Sequence, residues 1–197
     1  MNKSNKTLII VLSIIGIIFL SFIGSYNGLV SKQETANEAF GNVQATYQRR
    51  EDLIPALVET VKGYAKHESQ TLENVIAARA KAVQVTIDAR DATPEQIAEL
   101  QKAQGELSQA LGKLLAISES YPDLKASKNF SDLQVQLEGT ENRINEARQK
   151  YNIAVKTYNT SVRSFPTNII AGMCGFDKMT PFEASATAQK APEVKFD

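Results

Sequence analysis

The sequence predicts an all-α protein: a single N-terminal transmembrane helix followed by an antiparallel up-and-down four-helix bundle. Three observations predict it. An uncharged, strongly apolar run occupies the N-terminus. Helix formers (Ala, Leu, Glu, Gln, Lys) dominate from about residue 31 onward, with only 10 glycines and 6 prolines in 197 residues. Apolar residues then recur at steps of three and four through several long stretches.

Residues 1–6 form a short basic tail with Lys3 and Lys6, and residues 7–30 form the anchor. From Thr7 to Val30 there is no charged residue, and Leu8–Ile23 is almost entirely Leu, Ile, Val and Phe. A span needs ~20 apolar residues, so Gly24–Val30 completes it. Tyr26 and Asn27 suit the headgroup level. A cleaved signal peptide would share the basic start and apolar run, but no small-x-small cleavage site follows and the run is long for a signal core. No cysteine follows it either, which excludes a lipoprotein anchor. Lys3, Lys6 and the free amine precede the span, and only Lys32 is basic after it until Arg49. The positive-inside rule then puts the N-terminus in the cytoplasm and the bundle outside the cell membrane.

Residues 31–165 carry the bundle. Helix one, about Ser31 to Val61, has Ala36, Phe40, Val43, Tyr47, Ile54, Leu57, Val61 and Tyr64 in its stripe. Pro55 falls inside it, where a kink is expected. Gly63 and Lys66-His67-Glu68 suggest a turn, with a helix continuing through them as the other option. Helix two spans about Ser69 to Arg90, with Leu72, Val75, Ile76, Val83 and Ile87 on one face. Thr93 caps helix three, with Pro94 at its first position. That helix presents Ile97, Leu100, Leu107, Leu111, Leu114 and Leu115, and Glu119–Asp123 breaks the chain. Helix four, Phe130 to about Ser164, carries Leu133, Leu137, Ile144, Ala147, Tyr151, Ala154, Tyr158, Val162 and Phe165, and Pro166 stops it. Short connections between long amphipathic helices make neighbours antiparallel. Asn142, Asn145, Gln149, Asn152, Lys156 and Asn159 read as its solvated face.

Residues 166–186 form a membrane-proximal short helix and loop, and 187–197 a loose C-terminal tail. Helix four returns toward the anchor, so Ile169, Ile170, Met173, Phe176 and Phe182 form a candidate membrane-proximal surface. The short helix, Thr167 to Gly175, either rests on the bilayer or packs on the base of helix one.

Two breaks in the apolar pattern define a candidate polar cluster. Arg50 occupies a core slot in the series Val43, Tyr47, Arg50, Ile54, with Arg49 and Asp52 beside it. On helix four Thr140 fills a core slot, flanked by Glu138, Glu141, Asn142 and Arg143. Counting equal distances from the shared end of the two helices brings Arg50 level with about residue 143. A buried guanidinium needs a carboxylate, so Arg50 is expected to pair with Glu138 or Glu141. Such a pair is either a structural device that fixes helix register or part of a pocket for a small polar ligand.

The surrounding residues resemble the LemA family. The resemblance is carried by Gln48-Arg49-Arg50-Glu51-Asp52-Leu53-Ile54-Pro55 and by Val61-Lys62-Gly63-Tyr64-Ala65 with His67-Glu68. It continues in Glu138-Gly139-Thr140-Glu141-Asn142-Arg143-Ile144, Tyr158-Asn159, Phe165-Pro166 with Asn168, Phe182-Glu183-Ala184 and the terminal Val194-Lys195-Phe196. It covers nearly the whole chain. Two positions depart from the family pattern: Ala56, where Asn is usual after the proline, and Cys174, in a segment usually free of cysteine. The resemblance implies a membrane-anchored up-and-down four-helix bundle, and it brings no known enzymatic activity or cofactor to carry over.

Other chemistry finds little support. With 22 basic and 22 acidic residues, and two of the lysines ahead of the anchor, no basic footprint for nucleic acid exists. One cysteine rules out an internal disulfide, and one histidine rules out a His-rich metal site. Cys174 and His67 fall at opposite ends of the bundle, about 30 helical residues or ~45 Å apart, too far for a nucleophile and its base. Gly172-x-x-Gly175 lacks the Lys-Ser/Thr of a phosphate loop. No catalytic residue, metal site or cofactor site is assigned. The expected partners are the lipid bilayer, through the N-terminal helix, and another membrane or envelope protein or a second copy of the chain. The best reading is a protein-binding scaffold or adaptor at the envelope; the alternative is a sensor for a small polar ligand at the Arg/Glu cluster.

Overall fold

The computed structural model describes residues 3–183, and among them the chain is helical without strands. The expected tail from Thr187 and the motif Val194–Phe196 lie outside the described residues. α1 spans Lys3–Tyr64 as one 62-residue helix, about 90 Å at 1.5 Å per residue. The apolar run and the stripe that begins near Ser31 are therefore one continuous rod, with no break at residue 30. This is the one helix long and apolar enough to cross a membrane among those described.

α2 is Ser69–Gln84, α3 Pro94–Ala116 and α5 Lys128–Arg163; a 3₁₀ turn at Ile117–Ser120 and the single turn α4, Pro122–Lys125, join α3 to α5. A short helix α6, Thr167–Cys174, follows. α1 packs along α5, and α2 along α3. Contacts between α1 and α5 step in opposite sequence order: Lys32 with Ser161, Phe40 with Tyr151, Arg50 with Glu141.

Several helix ends follow from local chemistry. Thr93 and Gln96 form a reciprocal capping box over Pro94, at 3.2 and 2.9 Å. Ser127 caps α5 through the Phe130 amide. α1 ends at Tyr64 and turns at 65–68. Pro55 offers no N–H to the Glu51 carbonyl one turn earlier, and Arg79 Nε donates to that carbonyl instead, at 2.9 Å.

α2 is shorter than expected. It stops at Gln84, not Arg90, because Val85-Thr86-Ile87 are β-branched and favour extended backbone. Its buried face is Leu72, Val75, Ala78 and Ala82, whereas Ile76 and Val83 point to solvent. Ile87, Ala89 and Ala92 still reach the core, from a non-helical connection that turns at 89–91. Tyr64 and Phe165 lie beyond the ends of their apolar rows and are exposed.

The largest departure is at Asn152 and Asn159, which are half-buried and bonded to backbone rather than on a fully solvated face. They hold an extended strap, residues 176–183, that rises along α5. Asn159 exchanges two hydrogen bonds with the Met179 backbone, at 2.8 and 2.9 Å. Asn152 does the same with Phe182, at 2.9 and 2.8 Å, and Gln101 of α3 with Glu183, at 2.8 and 3.2 Å. The spacing is geometric. Seven helical residues rise ~10.5 Å and three extended residues cover about the same length, so asparagines at 152 and 159 meet residues 182 and 179. The hydroxyls of Tyr151 and Tyr158 donate to the carbonyls of Thr180 and Asp177.

Two apolar clusters result. The lower one contains Leu29, Phe40, Tyr47, Tyr151, Ile170, Met179 and Phe182; the upper one contains Ile54, Leu57, Leu107, Leu114, Phe130 and Leu137. Phe40, Tyr151 and Phe182 form an aromatic triangle with centroids 5.2–6.1 Å apart, each pair worth roughly 0.5–1.5 kcal/mol beyond its buried area.

Replacing Asn152 by Ala leaves the Phe182 amide and carbonyl without side-chain partners, and an expected loss of about 1–3 kcal/mol follows. Urea unfolding of the full chain in detergent measures it. Hydrogen exchange should accelerate at Phe182 first, with Met179 retained by Asn159. A second outcome concerns alkaline pH. Burial pushes the Tyr151 hydroxyl up to about 12 from 10.0, so the unfolded phenol ionises first and stability falls as pH rises through that window. Tyr151→Phe should flatten the fall without abolishing it, because burial raises Tyr47 and Tyr158 in the same direction.

Candidate functional site

Between the two apolar clusters lies a polar layer centred on Arg50, which is 2% exposed. Its Nη1 donates to Ser108 Oγ at 2.7 Å and to Glu141 Oε2 at 2.8 Å. Its Nη2 donates to the Gln104 carbonyl at 3.3 Å and to Gln104 Oε1. Gln104 Nε2 passes the network on to Glu51 Oε1 at 3.1 Å. The layer therefore ties α1, α3 and α5 at one height. The Tyr47 ring sits 5.7 Å from the guanidinium carbon. Burial raises the Tyr47 pKa, while Arg148 and Arg50 pull it back. Arg50 Nε and the Tyr47 hydroxyl have no hydrogen-bond partner among the described residues.

The cluster read from the sequence divides. Arg50 and Glu141 come together; Arg49, Asp52, Glu138, Asn142 and Arg143 are exposed. Glu138 does not reach Arg50 and instead accepts from Gln134, one turn away, at 3.0 Å. Its carboxylate lies one helical turn from the layer, on the outer side of α5. Thr140 is buried, but its hydroxyl donates to the Gln136 carbonyl of its own helix at 2.7 Å. Gln104, Ser108 and Glu51 are partners the sequence reading missed. The signal for Gln104 was present: the α3 stripe steps from Leu100 to Leu107, and the skipped core slot is residue 104.

A groove of about 710 Å³ runs between α1 and α5 on the outer side of the pair. Ala39, Ala147, Ala154 and Ile153 contribute apolar surface, with Lys32, Arg143 and Lys150 against Glu38 and Glu146 around it. Lys150 lies 2.7 Å from Glu146 and holds its carboxyl below the usual range.

At the base of the body the expected surface also divides. Ile169 and Met173 are exposed, Phe176 is half-buried, and Ile170 and Phe182 belong to the lower core. Phe182 is drawn inward by the strap, where Arg148 covers its ring at 4.9 Å. Ile170 faces α1 and α5 from the inner side of α6.

The LemA family model matches residues 39–196, a stretch that contains the Arg50 layer, the strap and α6. The chain belongs to the LemA family. It is 25% identical over 171 residues to Protein LemA of Metamycoplasma hominis, covering 87% of this chain and 74% of that protein. It is 23% identical over 205 residues to the magnetosome protein MamQ of Magnetospirillum gryphiswaldense, covering 92% and 74%. Magnetosome protein MamQ 1 of Paramagnetospirillum magneticum is 26% identical over 190 residues, covering 88% and 70%. The family match begins at Ala39, inside α1, so it covers the helical body and leaves the apolar run outside.

The asymmetry of the Arg50–Glu141 pair sets its energetics. Arg50 is 2% exposed and Glu141 44%, so removing the acid strands a buried charge, whereas removing the base leaves a carboxylate that water reaches. Glu141→Leu should cost about 3 kcal/mol, more than Arg50→Met, and the double change should be close to neutral. Urea unfolding of the three variants tests the order; a larger cost for Arg50→Met would contradict it.

Proposed function

We propose that this LemA-family chain is a membrane-anchored scaffold that binds another protein at the cell envelope. In this reading Thr7–Val30 spans the bilayer uncleaved, with the N-terminus in the cytoplasm. An up-and-down four-helix bundle, built from the outer part of α1 with α2, α3 and α5, stands outside. The partner is an envelope protein or a second copy of the chain, and it docks in the groove between α1 and α5.

One observation carries the reading. The polar centre is consumed by the chain's own groups, since Glu141, Ser108 and Gln104 take up four guanidinium contacts, while the α1/α5 groove stays open to solvent with charges of both signs on its walls. Mixed charges around an apolar floor favour a protein surface of complementary pattern. The unbroken α1 supports the same role, because a rigid rod fixes the height of whatever the groove holds. The second reading, a sensor for a small polar ligand, draws on Arg50 Nε and the Tyr47 hydroxyl, both buried without a partner.

A photo-crosslinking residue in place of Ile153, at the groove, should yield a discrete protein adduct in intact cells; the same probe in place of Val135, exposed on the upper part of α5, should not. No adduct at 153 would sink the scaffold reading. In the Arg50→Met/Glu141→Leu background the adduct should persist, whereas a ligand sensor would lose its response while still folding. Protease added outside spheroplasts should cut a C-terminal epitope without lysis; protection until lysis would reverse the orientation.

A further inference from the structure

α6 is the lowest element of the helical body. α5 descends to Arg163, α6 crosses beneath it, and the strap climbs back with Asp177 beside Tyr158, Met179 beside Asn159 and Phe182 beside Asn152. Gly175 makes this reversal at φ 74°, a left-handed conformation that a side chain would strain. Two contacts fix the height of α6 along α1. Just before it, Lys32 Nζ donates to Ser161 Oγ at 2.6 Å. Just after it, the Phe176 ring meets Tyr26 edge-on at 5.5 Å. Tyr26 lies eighteen residues beyond Leu8, about 27 Å at 1.5 Å per residue, and the hydrocarbon core of a bilayer is ~30 Å thick. α6 therefore sits at the level where the apolar run of α1 would leave the hydrocarbon.

Its chemistry suits that level. From Ser164 to Phe176 there is no charged residue. The inner side, Ile170 and Ala171, is buried against α1 and α5. On the outer side Ile169 and Met173, one turn apart, are 52% and 74% exposed, and Phe165, in the turn just before α6, is 81% exposed. Single exposed apolar side chains are ordinary, but two large ones one turn apart on an uncharged helix, with a third in the turn that leads into it, mark an interaction surface. Arg163 and Lys178 flank the segment, where long basic side chains can reach lipid phosphates.

We propose that α6 and the turn that leads into it are a second membrane contact, in which Phe165, Ile169 and Met173 insert into the interfacial layer of the leaflet through which α1 emerges. The proposal rests on the reading of α1 as a span. It commits the surface to lipid because the row continues the apolar surface of α1 at the height where the bilayer would end. With a span and an interfacial helix joined through Tyr26 and Phe176, the body has two attachments and its azimuth is fixed relative to the membrane plane.

The test uses the full chain, with Cys174→Ser removing the native cysteine. Single cysteines at Ile15→Cys, Met173→Cys and Val135→Cys, each carrying an environment-sensitive fluorophore, are reconstituted in phosphatidylcholine–phosphatidylglycerol vesicles. The lipids carry spin labels at shallow or deep acyl positions. The probe at 15 should be quenched most by the deep label. The probe at 173 should be blue-shifted and quenched most by the shallow label, and the probe at 135 should lose no fluorescence. Quenching at 15 with 173 behaving like 135 overturns the α6 contact and leaves the span standing. No quenching at either 15 or 173 overturns both readings. A blue shift at 173 without quenching, together with a crosslink from 173 to a second polypeptide, assigns the row to a protein partner and also overturns the proposal. Phe165→Ser/Ile169→Ser, at exposed positions, should abolish quenching at 173 while leaving it unchanged at 15.

Discussion

The buried guanidinium of Arg50 constrains how α1, α3 and α5 can sit against one another. A charge that is 2% exposed cannot be carried at arbitrary height. It requires the Gln104 carbonyl, Gln104 Oε1, Ser108 and Glu141 together, and these come from two other helices. Sliding α5 by one turn would move Glu141 about 5.4 Å away and leave the charge without its counter-ion. Apolar layers above and below tolerate such slips far better, because one aliphatic contact resembles another. A slip that parts Arg50 from its counter-ion is therefore costly in a way that a slip of the apolar layers is not.

That layer also marks a change of architecture. Above it α2 and α3 complete the core around Ile54, Leu57, Leu107 and Leu114. Below it α2 has ended, and the space it would fill is taken by non-helical backbone: residues 85–92, which turn at 89–91, on one side and the strap 176–183 on the other. Extended segments expose amides that no helix satisfies. Asn152, Asn159 and Gln101 supply bidentate partners to those of the strap, and Gln44 donates to the Ile87 carbonyl at 3.0 Å. Side-chain amides on α1, α3 and α5 thus do for these segments what a neighbouring strand would do in a sheet.

Much of this was legible in the sequence, and the misses share one cause. Arg50 and Glu141 stood out because a 3.6-residue period exposes a polar residue in an apolar row. The Thr93 cap is a local signal and lies where the sequence puts it, whereas α1 runs through Gly63 to Tyr64, past the expected end near Val61, before it turns at 65–68. Asn152 and Asn159 read as solvated because their seven-residue spacing matches a polar face equally well; only the distant strap gives them a partner. Phe182 and Ile170 were assigned to a surface on position alone, since no period operates in a segment of eight residues or in an extended one. Gln104 shows in the sequence as a skipped core slot, but its partners do not, and Glu51 gives no signal at all, because pairing across helices depends on relative rotation, which a one-dimensional pattern does not carry.

The continuity of α1 gives these local features a common consequence. A 62-residue helix without interruption carries the apolar run, the Tyr26 contact with Phe176, the Phe40 aromatic triangle and the Arg50 layer on one rod. Their relative heights are then fixed by a 1.5 Å rise and not by flexible linkers. Pro55 is the position where such a rod would be expected to bend, and it lies only five residues above Arg50. There the Arg79 side chain takes the carbonyl that proline leaves free, so α2 is fastened to α1 at its weakest turn. The constraint at Arg50 and the splint at Glu51 act within one helical turn of each other. The upper core is consequently joined to the lower one, and to the apolar run beneath, through a segment of α1 that is held by three neighbouring helices.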